Sequence, residues 1–164
     1  MTSERLRYQL VRPSDLDAFH RLVQDDHVRR YLLDGRIVPR KWSEERVQES
    51  KVLFERRGVG IWLTHEKTRD ELMGFCGFLK FPTMHSAPQL VYAMFERFSG
   101  KGYATEMARA AIAEARKQPG FREIIASVDE VNSASLRVLS KLGFSRFSIE
   151  QGCFGNMFMM RLES

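Results

Sequence analysis

The stretch Arg97-Phe98-Ser99-Gly100-Lys101-Gly102-Tyr103-Ala104-Thr105-Glu106 lies between a segment that alternates like a strand and the clearest helical segment of the chain. Glycines at a strand-to-helix turn let consecutive backbone N–H groups point at one spot, and the helix that follows adds its positive N-terminal end. A turn of this kind is an anion site. A pyrophosphate is its natural occupant, with Arg97 and Lys101 supplementing the charge. It is not a Walker A loop, because Gly-Lys is not followed by Ser or Thr. Nor is it a dinucleotide fingerprint, whose third glycine would fall at Thr105. Taken alone, the segment also fits a tight turn that merely needs glycine.

Working outward, residues 103–117 read as a helix with an inner face of Ala104, Met107, Ala108, Ala111, Ile112 and Ala115. Spacings of three and four define that face, and its small side chains allow close approach to a sheet. Residues 89–95 read as the strand before the turn, with further strands at 60–64 and 72–81. Gly74 and Gly77 inside the longer one suggest a bulge or a close backbone approach. A first strand at 6–11 is ended by Pro13, and Ser14 with Asp17 predicts a capping box opening a helix striped by Leu16, Phe19, Leu22 and Val23. Residues 25–40 are polar and carry breakers at Gly35 and Pro39, so no element is expected there. Ser43, with Glu44 and Glu45, opens a second helix to about Arg57, stopped by Gly58. After the central helix come a strand at 123–128, a helix at 132–142 with Asn132 as N-cap and Gly143 at C′, and a hairpin at 144–149 and 154–162. This order predicts an α/β fold: one mixed sheet with helices on both faces.

The chain has 164 residues, 43% of them hydrophobic and 29% charged, which predicts a single domain over 1–164 with a core of its own. These figures exclude fibrous, disordered and membrane-embedded classes. The net charge of +5 favours an anionic partner, whether nucleic acid, an acidic protein or a phosphorylated cofactor, with a basic solvated surface as the alternative. Cys76 and Cys153 are far apart and outside any CxxC spacing, and no signal-like or membrane-spanning run is evident, so a cytoplasmic protein is expected. His20, His27, His65 and His85 show no metal-ligand spacing, and no metal is expected.

A second segment changes the weight of the first. Asn132-Ser133-Ala134-Ser135 opens a helix that ends Leu139-Ser140-Lys141-Leu142-Gly143-Phe144. Together the two segments resemble the GNAT superfamily of acyl-CoA N-acyltransferases. Arg97-x-x-Gly100-x-Gly102 is similar to its pyrophosphate loop. The Asn132 to Phe144 segment, Gly74-Phe75-Cys76-Gly77, Gly100 to Glu106 and Arg12-Pro13 before Asp15-Leu16 resemble its RimJ/RimL-like branch.

The resemblance implies a sheet splayed between strands 4 and 5, with acetyl-CoA as co-substrate lying in the V and its acetyl group passing directly to a primary amine. The implied cofactor contacts are Tyr92, Met94 and Phe95, with a free N–H at a bulge nearby, then Arg97, Ser99, Gly100, Lys101, Gly102, Tyr103, Ala104 and Thr105, and Asn132 and Ser135 from the opposite side. Many relatives place a tyrosine acid two residues before the lysine of the last helix, and that position is Leu139 here. Since the serine of the Asn-x-x-Ser motif lies near the thiol in the RimJ/RimL-like branch, the resemblance implies Ser135 as the catalytic group that hydrogen-bonds it, with a first-turn helix residue of no chemistry as the alternative. Where many carry a glutamate three residues before the strand tyrosine, this chain has Gln89, which is not a base. An α-amino group, titrating near 7.7–8.0, is about one-fifth neutral at roughly pH 7.2, against about 0.1% for a lysine. The expected acceptor is therefore an α-amino group of a protein or peptide, or a small-molecule amine. Trp42, Phe54, Trp62 and His85 are further residues for the acceptor pocket, with ordinary packing or a surface loop as the alternative. A silent acyl-CoA-binding module and an RNA-associated protein are the competing readings, and a homodimer is left open.

Overall fold

The computed structural model describes residues 1–81 and 85–163, and for His85 and Ser86 the backbone alone. Seven strands form one mixed sheet: β1 (Leu6–Leu10), β2 (Ile61–Glu66), β3 (Glu71–Phe81), β4 (His85–Met94), β5 (Glu123–Asp129), β6 (Ser145–Gly152) and β7 (Gly155–Glu163). Their order is β1-β2-β3-β4-β5-β7-β6. Among the described residues only β4 and β5 run parallel; the other neighbours are antiparallel. The helices are α1 (Leu16–Gln24), α2 (Asp26–Leu32), α3 (Arg40–Arg57), α4 (Tyr103–Ala115) and α5 (Ser133–Lys141).

Strand alternation separates the helices onto two faces. Phe75 of β3 meets Phe19 of α1 edge-on at 5.2 Å. Thr64, paired with the neighbouring Gly74, donates its hydroxyl to Met107 Sδ of α4 at 3.2 Å. Adjacent residues of a strand point to opposite sides, so α1 and α4 cover opposite faces. The inner stripe of α4 is as the spacing predicts: Met107, Ala108, Ala111 and Ala115 are fully buried. Gly77 meets the close-approach alternative rather than the bulge. A Cβ there would collide with the carbonyl oxygen of Gly60, and the register shifts of the sheet lie elsewhere, between Thr64 and His65 and between Leu79 and Phe81.

Several boundaries move. The capping box is made by Asp15, whose Oδ2 accepts the Arg12 N–H at 2.9 Å. Pro13 sets a 3-10 turn ahead of α1, and Asp17 pairs with Arg40 at 2.6 Å instead. The polar stretch contains α2, whose N-cap Asp25 accepts from the amides of His27 and Val28. α3 starts three residues early, after Pro39. Its Ser43 is buried and hydrogen-bonds His20 Nδ1 at 2.8 Å, so it packs against α1 rather than capping. β4 begins at His85, because antiparallel pairing with β3 carries the strand back to Phe81; His85 therefore opens a strand, and its side chain is outside the described residues. α5 has the expected caps: Asn132 Oδ1 accepts the Ser135 N–H at 3.1 Å, and Gly143 follows with φ 88°.

The N-terminus is pinned to the start of α4 by one side chain. Glu106 accepts from Ser3 Oγ at 2.7 Å, the Arg5 amide at 2.8 Å and Arg5 Nε at 2.7 Å. Burial pushes this carboxyl up, but the Ser3 and Arg5 hydrogen bonds outweigh it and hold the group below its ordinary 4.5. A depressed carboxylate stabilises the fold above its unfolded pKa and loses that contribution as pH falls through its folded pKa. Glu106→Gln is therefore expected to lower Tm at neutral pH and to narrow the gap from wild type below about pH 4. Thermal melts from pH 7 to 3 check it; a constant gap would overturn it.

Candidate active site

Strands β4 and β5 meet at a single register pair, Gln89↔Ile125. Beyond that point β4 runs on to Met94 and β5 to Asp129, and no further pairing joins them. The sheet is therefore forked. The Phe95 N–H is bonded to the Met73 carbonyl at 2.9 Å, on the β3 side. By alternation Tyr92 and Met94 turn their N–H groups toward β5, where no strand receives them. The open N–H groups expected at a bulge thus come from the fork itself.

A cleft of about 720 Å³ fills the fork, lined by Leu90 to Met94 on one side and Ala126 to Asp129 on the other. The β4 end leads into Gly100 and Gly102, both left-handed at φ 76° and 79°. These angles bring the chain into α4, where no side chain caps the first turn. The free N–H groups of that turn and the positive helix end face the cleft through Tyr103, Ala104 and Thr105.

From the opposite wall come Asn132 and Ser135 of α5. Asn132 uses Oδ1 as the cap, which leaves its amide nitrogen free to donate. Ser135 Oγ lies 2.6 Å from the hydroxyl of Tyr92, so the β4 and α5 walls are bridged by one short hydrogen bond. Burial pushes the Tyr92 phenol up to about 12, against the smaller opposite effect of the Ser135 bond. It therefore stays protonated at neutral pH. At the head of the fork Gln89 is fully buried, and among the described residues neither end of its amide has a partner.

Of the residues expected to hold the cofactor, Tyr92, Met94, Ser99, Gly100, Gly102, Tyr103, Ala104, Thr105, Asn132 and Ser135 all line this cleft. Phe95, Arg97 and Lys101 do not. Phe95 is turned into the core. Arg97 pairs with Glu71 at 2.8 Å and lies over the rings of Phe95 and Phe98, because the 3-10 turn Glu96–Phe98 directs it back toward β3. Lys101 donates to the Arg97 carbonyl at 3.1 Å. Arg137 and Lys141 of α5 supply positive charge to the cleft in their place. Nor do Trp42, Phe54 and Trp62 reach it: Phe54 and Trp62 meet edge-on at 6.4 Å, and Trp42 lies under Arg46. The wall that sequence reading missed is α2 and the loop after it, with His27, Tyr31, Asp34 and Arg36. Its signal was present in the N-cap residue Asp25, followed by Val28, Tyr31 and Leu32 at helical spacing. Among the described residues no group of three or more His, Cys, Asp or Glu could hold a metal ion, and no helix is long and apolar enough to cross a membrane.

A mixed sheet forked at its one parallel pair, with a glycine turn feeding a helix N-terminus at the mouth, is the architecture of an acyl-CoA-dependent transferase. The chain belongs to the GNAT acetyltransferase domain family, whose pattern matches residues 5–145, and it is an acetyltransferase of a family that uses acetyl-CoA. It is 28% identical over 147 residues to YkkB of Bacillus subtilis strain 168, covering 87% of this chain and 83% of that one. Its fold is similar to that of YncA from Salmonella typhimurium, solved with its cofactor acetyl-CoA, at a TM-score of 0.75 and 17% identity over 98% and 94% of the two chains. It is also similar to the ribosomal-protein-S5-alanine acetyltransferase from Vibrio fischeri, at a TM-score of 0.77 and 17% identity over 99% and 95%.

Proposed function

We propose that this chain is an acetyltransferase of the RimJ/RimL-like branch that moves the acetyl group of acetyl-CoA directly onto a primary amine, favouring the α-amino group of a protein or peptide or the amine of a small molecule. The observation that carries the reading is the fork. It leaves the Tyr92 and Met94 N–H groups without a strand partner, directly upstream of the Gly100-Gly102 turn.

In this reading the diphosphate rests on the amides from Gly100 to Thr105, and Asn132 donates to the pantetheine arm. An open β4 N–H polarises the thioester carbonyl. The amine nitrogen bonds to the acetyl carbon, the carbon–sulfur bond breaks, and the proton shed by the nitrogen ends on the leaving sulfur, which takes a hydrogen bond from Ser135 that Tyr92 orients. Gln89 cannot take the amine's proton, which favours an acceptor that is already partly neutral. The deciding measurement is CoA release from acetyl-CoA with N-terminal peptides, free amino acids, polyamines and aminoglycosides. Release is expected with one acceptor class only. Lysine side-chain turnover far above that of N-terminal peptides would overturn the α-amino preference.

A further inference from the structure

Two carboxylates close the cleft on the side away from Ser135. Asp129 ends β5 and lines the cleft. Its neighbour Val128 belongs to the main core, whereas Ile125, four residues back, packs with Met157 and Met159 in a separate cluster. Alternation puts Asp129 on the face of Ile125, opposite the core that α4 covers. Across from it stands Asp34, held by the α2–α3 loop in a left-handed backbone at φ 55°.

Asp129 is half-buried, and among the described residues its carboxylate has no hydrogen-bond or ion-pair partner. A side chain at Gly152 in the β6–β7 turn would sit 3.1 Å from its Oδ1, so glycine keeps that oxygen open. The charged and titratable groups around the pair are few. Arg36 lies 3.6 Å from Asp34 with its own side chain 73% exposed, and the Cys153 thiol is raised by its hydrogen bond to Asp34. His27 and Tyr31 complete that wall. Burial, then the charge of Asp34, pushes the Asp129 carboxyl above its ordinary range, as expected of a half-buried carboxylate near a second one. The cleft thus carries Arg137 and Lys141 along α5 and, at the far side, Asp129 with no ion-pair partner among the described residues beside Asp34, whose ion pair is with the exposed Arg36, in a protein of net charge +5.

We infer that Asp34 and Asp129 form the specificity end of the acceptor site and take a second cationic group, carried by the acceptor beyond its reacting amine. This inference rests on the acetyl-CoA reading of the fork. A diamine, a polyamine or a peptide with a basic side chain next to its free terminus carries such a group.

The test uses CoA thioethers whose sulfur bears an acetamide of diaminoethane, diaminobutane or diaminohexane, each paired with the uncharged alkylamide of equal length, in calorimetric titrations at low salt. Wild type is expected to bind at least one charged member about tenfold more tightly than its uncharged partner. Asp129→Asn and Asp34→Asn are each expected to shrink that ratio to about twofold or less. Both affinities are measured on the same variant, so a general loss of fold or of CoA binding cancels in the ratio. Two variants from different elements keep the result readable if one fails to fold. A ratio near one in wild type at every length, or an undiminished ratio in both variants, overturns the inference. Failure of wild type to bind even the uncharged members brings down the acetyl-CoA reading itself, and the inference with it. A CoA thioether carrying a short peptide with a basic side chain next to its linked terminus, titrated beside the diamine members, then separates the two sources of the cation.

Discussion

Replacing Ser135 by alanine is expected to lower kcat about a hundredfold, within the range that a positioned proton donor contributes, while KM for acetyl-CoA moves only a few-fold. The proposed role of Ser135 is felt when the carbon–sulfur bond breaks and charge gathers on sulfur, so its removal costs the transition state more than the ground state. Tyr92→Phe is expected to be milder, about tenfold in kcat, because Ser135 keeps its own hydroxyl and loses only the 2.6 Å partner that orients it. The double variant should be little worse than Ser135→Ala, since the two groups act in series through one hydrogen bond. Steady-state kinetics with a saturating amine check all three. An unchanged kcat in Ser135→Ala would reduce that serine to a first-turn residue of α5, and equal, additive losses would separate Tyr92 from it.

Gly77→Ala is expected to destabilise the protein by about 4 kcal/mol, the sum of overpacking and backbone strain at one position. At this chain length that corresponds to a fall in Tm of roughly 10 °C. Gly77 has φ 142°, and a methyl group would enter the Gly60 carbonyl oxygen, a backbone atom just before β2 that is held by the Phe78 N–H at 2.9 Å. β3 lies between β2 and β4, so the strand cannot yield without disturbing the β4 wall of the cleft. Gly100→Ala provides the contrast. It shares a left-handed φ, 76°, but faces open space, so only the conformational penalty of about 1 kcal/mol applies. Thermal or urea melts of the pair decide the matter; a Gly77→Ala melt within about 2 °C of wild type would show that the strands can move apart.

The readable parts of this protein were those governed by local rules. The inner face of α4, the caps of α5 at Asn132 and Gly143, and the left-handed turn at Gly100 and Gly102 depend on spacing within a few residues, and each is found where the pattern puts it. α2 was lost because Gly35, Pro39 and a charged composition outweighed a short apolar stripe that needs tertiary packing to hold. The directions of Arg97 and Lys101 were also beyond reach, since a basic residue beside an anion turn has several partners. Glu71 of another strand, together with two aromatic rings, claimed Arg97.

By itself, then, the amino-acid order determined the α/β class, the glycine turn with its helix, and the polar residues that α5 presents, because these rest on backbone conformation and on periods of two and 3.6 residues. Tertiary structure alone decided that β4 and β5 part after Gln89↔Ile125, that Tyr92 meets Ser135, and that Asp34 and Asp129 face one cleft. Each of these is a meeting of segments more than thirty residues apart, set by how strands and helices pack and not by any residue's own preference.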